Sequence, residues 1–487
     1  MCDLAKRILL PHFAVTELAK AGDVDAVKVS IPGPLGTAPV EYFIAPKRFE
    51  ATGARRDGKA KWVLDQFRLY PVVLDSGGAP WAEANEWILS RLEGQLTPTM
   101  STFHSNADDL AAYLRFIEDS GLDWTSFPTH KLHRPTYRFH GYLRQCINNN
   151  EAAPSTAKRR MSTVIRFYNW LIDEGVLLPE NAPWVESKKF VSFVDSIGFR
   201  QSKTVITTDV SIKTAKQHNI YDEYIDDGGK LRPLSQQEQE WLLNALAHLG
   251  NTEMTLIHLM ALLTGARIQT VLTFRVRHAL MNPSEASVGS FRFIVGPGTE
   301  IDTKFDKKFV LHIPVFLYRM LNTYALSRRA KNRRARAKGG DNEDQYLFLS
   351  VRGAPMYESK GSGTEPDGSM LRHSKSGQGV RQFVKDKVIP FIRAMHSTPN
   401  FTYRIHDMRA TFGMNMVDHR MKLVDEQKAT ISQVLHFVME RMGHKSLITT
   451  EKYLNYRSRL RVVRAAQDGW EANLEKLAGL ALFDKNE

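Results

Sequence analysis

Residues 442–454 read MGHKSLITTEKYL, a Gly-His pair followed after a short polar stretch by Tyr453. Alone, such a tyrosine reads as a core residue, and an unaided phenol is a poor nucleophile: with an ordinary pKa of about 10, only about one in a thousand is ionised at neutral pH. Two islands further out change that reading. HDMRATF occupies 406–412 and TGAR occupies 264–267. Singly each is weak, since an arginine after a glycine is commonly a surface residue at a helix start and HxxR is commonly a local polar pair. Read as one site they supply what phosphoryl transfer needs, fixed cations that hold dispersed negative charge. Arg267 and Arg409 suit that task because guanidinium is planar, stays charged and can grip two phosphate oxygens at once.

If residues 405–417 are helical, His406 and Arg409 stand at i and i+3 and approach one phosphate together. Gly265 lets the backbone pass close to a ligand ahead of the helix bearing Arg267, which Ile268, Val271 and Leu272 anchor. His406 suits either taking the phenolic proton or orienting the phosphate, and His444 suits a hydrogen bond to a non-bridging oxygen. A sugar hydroxylate leaves faster when an acid protonates it, which directs attention to a lysine between the first two islands. Residues 291–314, FRFIVGPGTEIDTKFDKKFVLHIP, read as strand, turn, strand, with Lys304 in the turn and Lys307 and Lys308 as rivals.

The rest of the chain reads as follows. Residues 24–45 alternate apolar and polar residues as short strands and turns, and Lys47, Arg48, Arg55, Arg56, Lys59 and Lys61 form a basic cluster that suits either DNA contact or a solvated loop. From Asp108 the spacing becomes helical. After Pro154 a helix carries Met161, Ile165, Tyr168 and Ile172 on one face, with Lys158, Arg159 and Arg166 elsewhere as candidate phosphate contacts or ordinary surface residues. Periodicity fades between about 190 and 230, and Gly228-Gly229 marks a break before a capping box at Ser235 and Glu238. The division expected is an N-terminal extension over 1–104, which contacts DNA in one of the two readings of its basic cluster, a helical domain over 105–190, a linker over 191–232 and a second domain over 233–487. Ser327 to Gly340, containing RRAKNRRARAKGG, and Glu358 to Gly379 read as exposed insertions, the first either DNA-binding or a solvated basic helix. The tail, with Trp470, Leu474, Leu477 and Leu480 at helical spacing, suits docking on a neighbour or packing on its own domain.

Composition frames these readings. The 487 residues are 43% hydrophobic, enough for buried cores in several domains, and Lys plus Arg total 66 against 53 acidic residues, a net charge of +13 that favours a polyanionic partner. Cys2 and Cys146 are too few for a disulfide framework or a thiolate metal site, which fits a reducing, cytosolic setting. Leu256 to Ala266 is too short to span a membrane and reads as a buried helix.

The order Arg, Lys, His-x-x-Arg, Gly-His, Tyr, with TGAR, HDMRATF and MGHKSLITTEKYL, resembles the tyrosine recombinase (phage integrase) family over roughly 105–460. The resemblance implies a mainly α fold with a small β-sheet, in which a helical core-binding (SAM-like) domain and a mixed α/β catalytic domain clamp double-stranded DNA. It implies Tyr453 as nucleophile, Arg267, Arg409, His406 and His444 around the scissile phosphate, a hairpin lysine as general acid, a 3′-phosphotyrosine intermediate and a released 5′-hydroxyl. No metal or cofactor is implied. The expected function is site-specific recombination or integration on a mobile element, by a homo-tetramer on DNA in the cytoplasm and nucleoid, with accessory DNA-bending or partner recombinase proteins and no membrane. A topoisomerase or telomere resolvase of the same chemistry and a catalytically silent DNA-binding protein are the alternatives. Thr270 stands where many members have Glu, and Ala410 where many have His; residues 1–104 match no named domain.

Overall fold

The computed structural model describes residues 4–23, 25–31, 39–46, 66–93, 95, 98–194, 200–213, 224–282, 289–359 and 376–483. The chain divides into two units, one within 1–217 and one formed by 218–359 with 375–487. The fold is mainly helical with small antiparallel sheets. The basic cluster between Lys47 and Lys61 lies outside the described residues, as does most of the segment from Glu358 to Gly379.

In the first unit β1 (Lys6–Ala14) pairs antiparallel with β5 (Gln66–Leu74), and β2 (Thr16–Ala19), β4 (Val40–Pro46) and β3 (Val27–Ile31) form a second small sheet. Helices α1 (Ala82–Glu93), α2 (Met100–Asp119), α3 (Pro135–Asn148) and α4 (Pro154–Asp173) follow. Phe67, Tyr70 and Trp87 share one core with Tyr113, Phe139, Phe167 and Tyr168, so the strands before residue 104 pack on the same apolar body as the helices after it. The boundary expected at 104/105 falls inside α2. On α4 the buried face runs through Met161, Val164, Phe167, Tyr168 and Leu171, with Ile165 and Ile172 at its edge.

Described residues of the stretch expected as a linker form strands in both units. β6 (Glu186–Val194) and β7 (Arg200–Thr208) pair as a hairpin. In the second unit β8 (Ile225–Asp226) and β9 (Lys230–Leu231) form a very short one, whose turn uses Gly228 at φ 69° and Gly229 at φ 147°. The Gly-Gly pair is therefore the bend of a hairpin and not an interdomain break, because only glycine reaches such backbone angles without strain.

Helix α5 (Gln236–Leu249) opens on the capping box of Ser235 and Glu238. Helix α6 (Thr252–Thr264) is apolar almost all round and sits inside the core of this unit, as expected of a buried helix. After the short helix α7 (Ile268–Leu272), β10 (Ser290–Val295) and β11 (Phe309–Pro314) pair in the register Phe291↔Ile313 and Phe293↔Leu311. Helices α8 (Val315–Leu326), α9 (Arg328–Ala335), α10 (Gln378–Phe383) and α11 (Ile389–His396) complete the body. Then come α12 (Asp407–Asp425), α13 (Ile431–Met442) and the long α14 (Leu447–Phe483).

The basic run at 328–340 is exposed over most of its length and partly helical, in keeping with a solvated basic helix, but two of its arginines are turned inward. Arg333 and Arg334 on α9 are buried. Arg329 and Arg333 pair with the buried carboxylate of Glu253, while Arg334 pairs with Asp341 and donates to the Ala325 carbonyl. A buried carboxylate needs paired, hydrogen-bonding cations, and this run supplies them. On the tail, Trp470, Leu474 and Leu477 are exposed.

Candidate active site

The three sequence islands meet at the Arg409 guanidinium. Its Nη1 donates to the Gly265 carbonyl at 2.9 Å and its Nη2 to the Met442 carbonyl at 2.8 Å, so TGAR and MGH are both fastened to HDMR. Its Nε donates at 2.8 Å to Oδ2 of Asp227, at the turn of the β8–β9 hairpin. With two of its nitrogens holding backbone carbonyls, the guanidinium has a fixed orientation, and its charge is directed at whatever occupies the position of that carboxylate.

Two glycines make this convergence possible. Gly265 ends α6 at φ 67°, and a Cβ there would lie 2.4 Å from the Phe412 ring. Gly413, inside α12, faces the phenol: a Cβ there would lie 2.4 Å from Tyr453 Cε1 and 2.8 Å from Met442 Sδ. A glycine inside a helix costs about 1 kcal/mol relative to alanine, and here that cost is offset by the seat it makes for the Tyr453 ring.

Arg267 caps the start of α7, with Val271 and Leu272 buried behind it. Its Nη2 lies 3.6 Å from Asp227 Oδ1, and among the described residues its buried Nε meets no acceptor. His406 stands at the N-cap of α12, one position before the helix proper, with Arg409 three residues on inside the helix. Burial, with Arg267 and Arg409 nearby, pushes its imidazole down to about 4, leaving it neutral at pH 7.

His444 Nε2 lies 3.1 Å from Asp227 Oδ2 and its Nδ1 lies 2.9 Å from the Thr450 hydroxyl. Burial lowers the pKa of this ring. A neutral ring facing a carboxylate puts its hydrogen on Nε2, so the pattern assigns Nε2 as donor to Asp227 and Nδ1 as acceptor from Thr450. The Tyr453 hydroxyl donates to the same Oδ2 at 3.0 Å, and the residue is 0% exposed. Burial first, and then the charge of Asp227, push its pKa well above the ordinary value.

On Asp227 itself, burial alone would raise the pKa. Hydrogen bonds from His444 and Arg409 outweigh burial and hold the carboxyl well below the usual range, so it is ionised. Its backbone NH donates to the Gly229 carbonyl at 3.1 Å, closing the turn. The strand after it is stitched to α12, where Asp407 accepts from the backbone NH of Arg232 and the Thr411 hydroxyl accepts from that of Leu234.

The lysine turn reaches the same place. A Cβ built on Gly228 would lie 3.6 Å from Arg267 Nη2 and 3.7 Å from Lys304 Nζ, which puts both cations beside the backbone next to Asp227. Lys307 donates to the Gly443 carbonyl, and burial with neighbouring cations lowers its pKa. Lys308 is exposed. Thr270 and Thr273 grip the backbone of Asp302 at 2.9 Å each, fixing the chain just before Lys304. Thus the position that resembled a departure from the family pattern holds the lysine loop.

The structure brings Arg267, Arg409, His406, His444, Tyr453 and Lys304 together. Lys158, Arg159 and Arg166, the candidate phosphate contacts, lie on α4 of the first unit. There Arg159 pairs with Asp109 and Arg166 bonds to Ser162 and Thr163, while Lys158 is exposed. Sequence reasoning missed Asp227 and Thr450. The one signal for Asp227 was an acidic pair directly before Gly-Gly, a turn signature that says nothing about where the turn points. Among the described residues no group of His, Cys, Asp and Glu is arranged to hold a metal, and no helix is long and apolar enough to cross a membrane.

No family model matches the chain, and no curated protein matches it. Solved structures do. The XerH site-specific recombinase bound to palindromic difH substrate, in a post-cleavage complex, is similar at 14% identity and a TM-score of 0.45, over 80% of this chain and 84% of that one. A lambda integrase dimer bound to a COC′ core site is similar at 13% identity and a TM-score of 0.40, over 76% and 94%. The Tn1549 transposon integrase in complex with circular intermediate DNA is similar at 12% identity and a TM-score of 0.43, over 76% and 93%.

Proposed function

We propose that this protein breaks and rejoins DNA strands through a covalent phosphotyrosine at Tyr453, as a site-specific recombinase or integrase. The observation that carries the reading is a buried anion position contacted at once by Arg409, His444 and the Tyr453 hydroxyl, with Arg267 at its edge. A phosphodiester seated there has guanidinium and imidazole donors on its non-bridging oxygens and a phenol oxygen beside phosphorus.

In the forward step Tyr453 Oη attacks phosphorus and the P–O5′ bond breaks. The phenolic proton passes to a neutral base, for which His406 is the candidate, uncharged at pH 7 though a weaker base than an ordinary imidazole. The departing 5′-oxygen takes a proton from Lys304 and leaves as a hydroxyl; Lys307, whose pKa is lowered, is the rival donor. The link retains the bond energy, and a 5′-hydroxyl reverses the step by attacking it. No group outside this chain is needed to balance the reaction. The exposed Trp470, Leu474 and Leu477 stripe on α14 supports docking of the tail on a second copy, as in an assembly of four on DNA.

Nicked duplexes that lose the strand below the cut trap the covalent species. The wild type should form an adduct that survives denaturation and persists in EDTA, and Tyr453→Phe should bind the same DNA yet form none. An adduct retained in Tyr453→Phe sinks the proposal. Products then separate the two enzymes of this chemistry: exchanged strands mark a recombinase, and relaxed supercoils without exchange mark a topoisomerase.

A further inference from the structure

The anion position is already filled by a residue of the chain. Oδ2 of Asp227 accepts hydrogen bonds from Arg409 Nε, His444 Nε2 and Tyr453 Oη, and Oδ1 faces Arg267. These are the donors that a phosphodiester would use. A second anion cannot share them, because two like charges at contact distance in a buried site repel strongly. The phenol is sealed, and its hydrogen is committed to the carboxylate. A neighbouring anion also disfavours the phenolate that attack requires.

We propose that Asp227 is a built-in phosphate mimic, a latch on the β8–β9 hairpin that keeps the site closed until a DNA phosphate displaces it. The proposal rests on reading the pocket as a phosphodiester site. The exchange is balanced in charge: one carboxylate leaves for water as one phosphodiester monoanion enters. A role as the base for Tyr453 is the competing assignment, and the geometry disfavours it, since a carboxylate gripped by an arginine and a histidine is a weak proton acceptor.

The carrier suits a latch. Each strand of the hairpin has two residues, and its bend is Gly228-Gly229. Besides Asp227, it is held by Ile225 and Leu231 in the small core beneath α12 to α14, and by polar contacts at its rim that include Lys452 with Asp226, Arg404 with the Lys230 carbonyl, and the Arg232 NH with Asp407. Small elements with few buried contacts open at low free-energy cost. While seated, the carboxylate competes with any free anion as an intramolecular ligand, at an effective concentration on the order of millimolar.

The test is calorimetric binding of inorganic phosphate to the full chain at low ionic strength. Asp227→Asn keeps the shape and removes the charge, and should bind phosphate at least tenfold more tightly than wild type; Arg409→Lys added to it should remove the gain. Should Asp227→Asn fail to fold with its cations unpaired, Ile225→Ala decides, since it leaves every charge in place and loosens the hairpin's anchor. That variant should gain severalfold in phosphate affinity. Unchanged or weaker binding in a folded Asp227→Asn, or in Ile225→Ala when it is the deciding variant, overturns the latch. Tighter phosphate binding with no covalent adduct on nicked DNA leaves the latch standing and removes the strand-breaking reading instead.

Discussion

Glu253 and Asp227 are buried carboxylates in the same unit, and each is ringed by two arginines and a tyrosine hydroxyl. Glu253 takes Arg329 in two hydrogen bonds at 2.7 Å, Arg333 at 2.9 Å and the Tyr324 hydroxyl at 3.1 Å. Asp227 takes Arg409, Arg267, Tyr453 and, in addition, His444. The difference lies in what each is built on. Glu253 stands in the first turn of α6, in the middle of the unit's core, and its partners sit on the adjoining helices α8 and α9. Asp227 stands at the bend of a hairpin with two-residue strands, and its partners come from separate elements, Arg267 ahead of α7, Arg409 on α12, His444 after α13 and Tyr453 on α14. A carboxylate, two arginines and a tyrosine therefore do not define a site. Both carboxylates take two arginines, but the first set closes a network between core helices, whereas the second hangs its carboxylate on a hairpin bend and adds His444.

That contrast can be broken in several ways. The largest effect should come from Arg409→Lys, which cannot hold the Gly265 and Met442 carbonyls and an anion together; adduct formation should fall by about a hundred- to a thousandfold. Arg329→Lys on the structural side should leave adduct formation unchanged within about twofold, because a lysine still reaches Glu253 from a half-exposed position and only partial stability is at stake. Comparable losses of activity in both would erase the distinction.

Next in size, Glu253→Gln should cost about 3 kcal/mol in urea unfolding, at the low end for a broken buried pair because Arg329 is half exposed. Gly413→Ala should lower adduct formation by tenfold or more with helix content intact, since its methyl meets the Tyr453 ring; full activity would mean that the phenol need not sit where it does. Smallest, Tyr324→Phe should cost about 1.5 kcal/mol, the low end for one hydrogen bond to a charged group, and leave phosphate binding alone.

Acid should weaken the Asp227 side. His406 is depressed to about 4, so an unfolded chain binds its proton near pH 6.5 while the folded one does not. Stability from this group is complete above pH 6.5 and is lost as pH falls from there toward 4. Asp227 is also depressed, so its contribution is present above the ordinary aspartate pKa and is lost as pH falls below it. NMR titration of the His406 ring should show a midpoint near 4, and a midpoint near 6.5 would mean that the ring is neither buried nor faced by the arginines.

Much of the site was legible because its chemistry sits in short local strings. TGAR, HDMR and GH with a following tyrosine each name their residues, and the strand-turn-strand pattern places Lys304. The buried helix α6 and the cap at Ser235 were legible for a similar reason, since periodicity and capping act within a few residues. Asp227 was not, because a hairpin of two-residue strands has no periodicity to detect and its target lies far along the chain. The run RRAKNRRARAKGG was legible only in part, for the opposite reason. Its charge is visible locally, but the buried carboxylate that takes up part of it, Glu253, sits on another helix.

The central claim is that one phosphodiester is gripped by Arg267 and Arg409 and attacked by Tyr453. Mass spectrometry of the peptide covering 445–457, after incubation of the full chain with a pool of nicked duplexes of randomised sequence, tests it directly. The account predicts a nucleotide joined through phosphate to Tyr453 and to no other residue. A nucleotide on a different side chain, or adducts equally abundant in Tyr453→Phe, would contradict it.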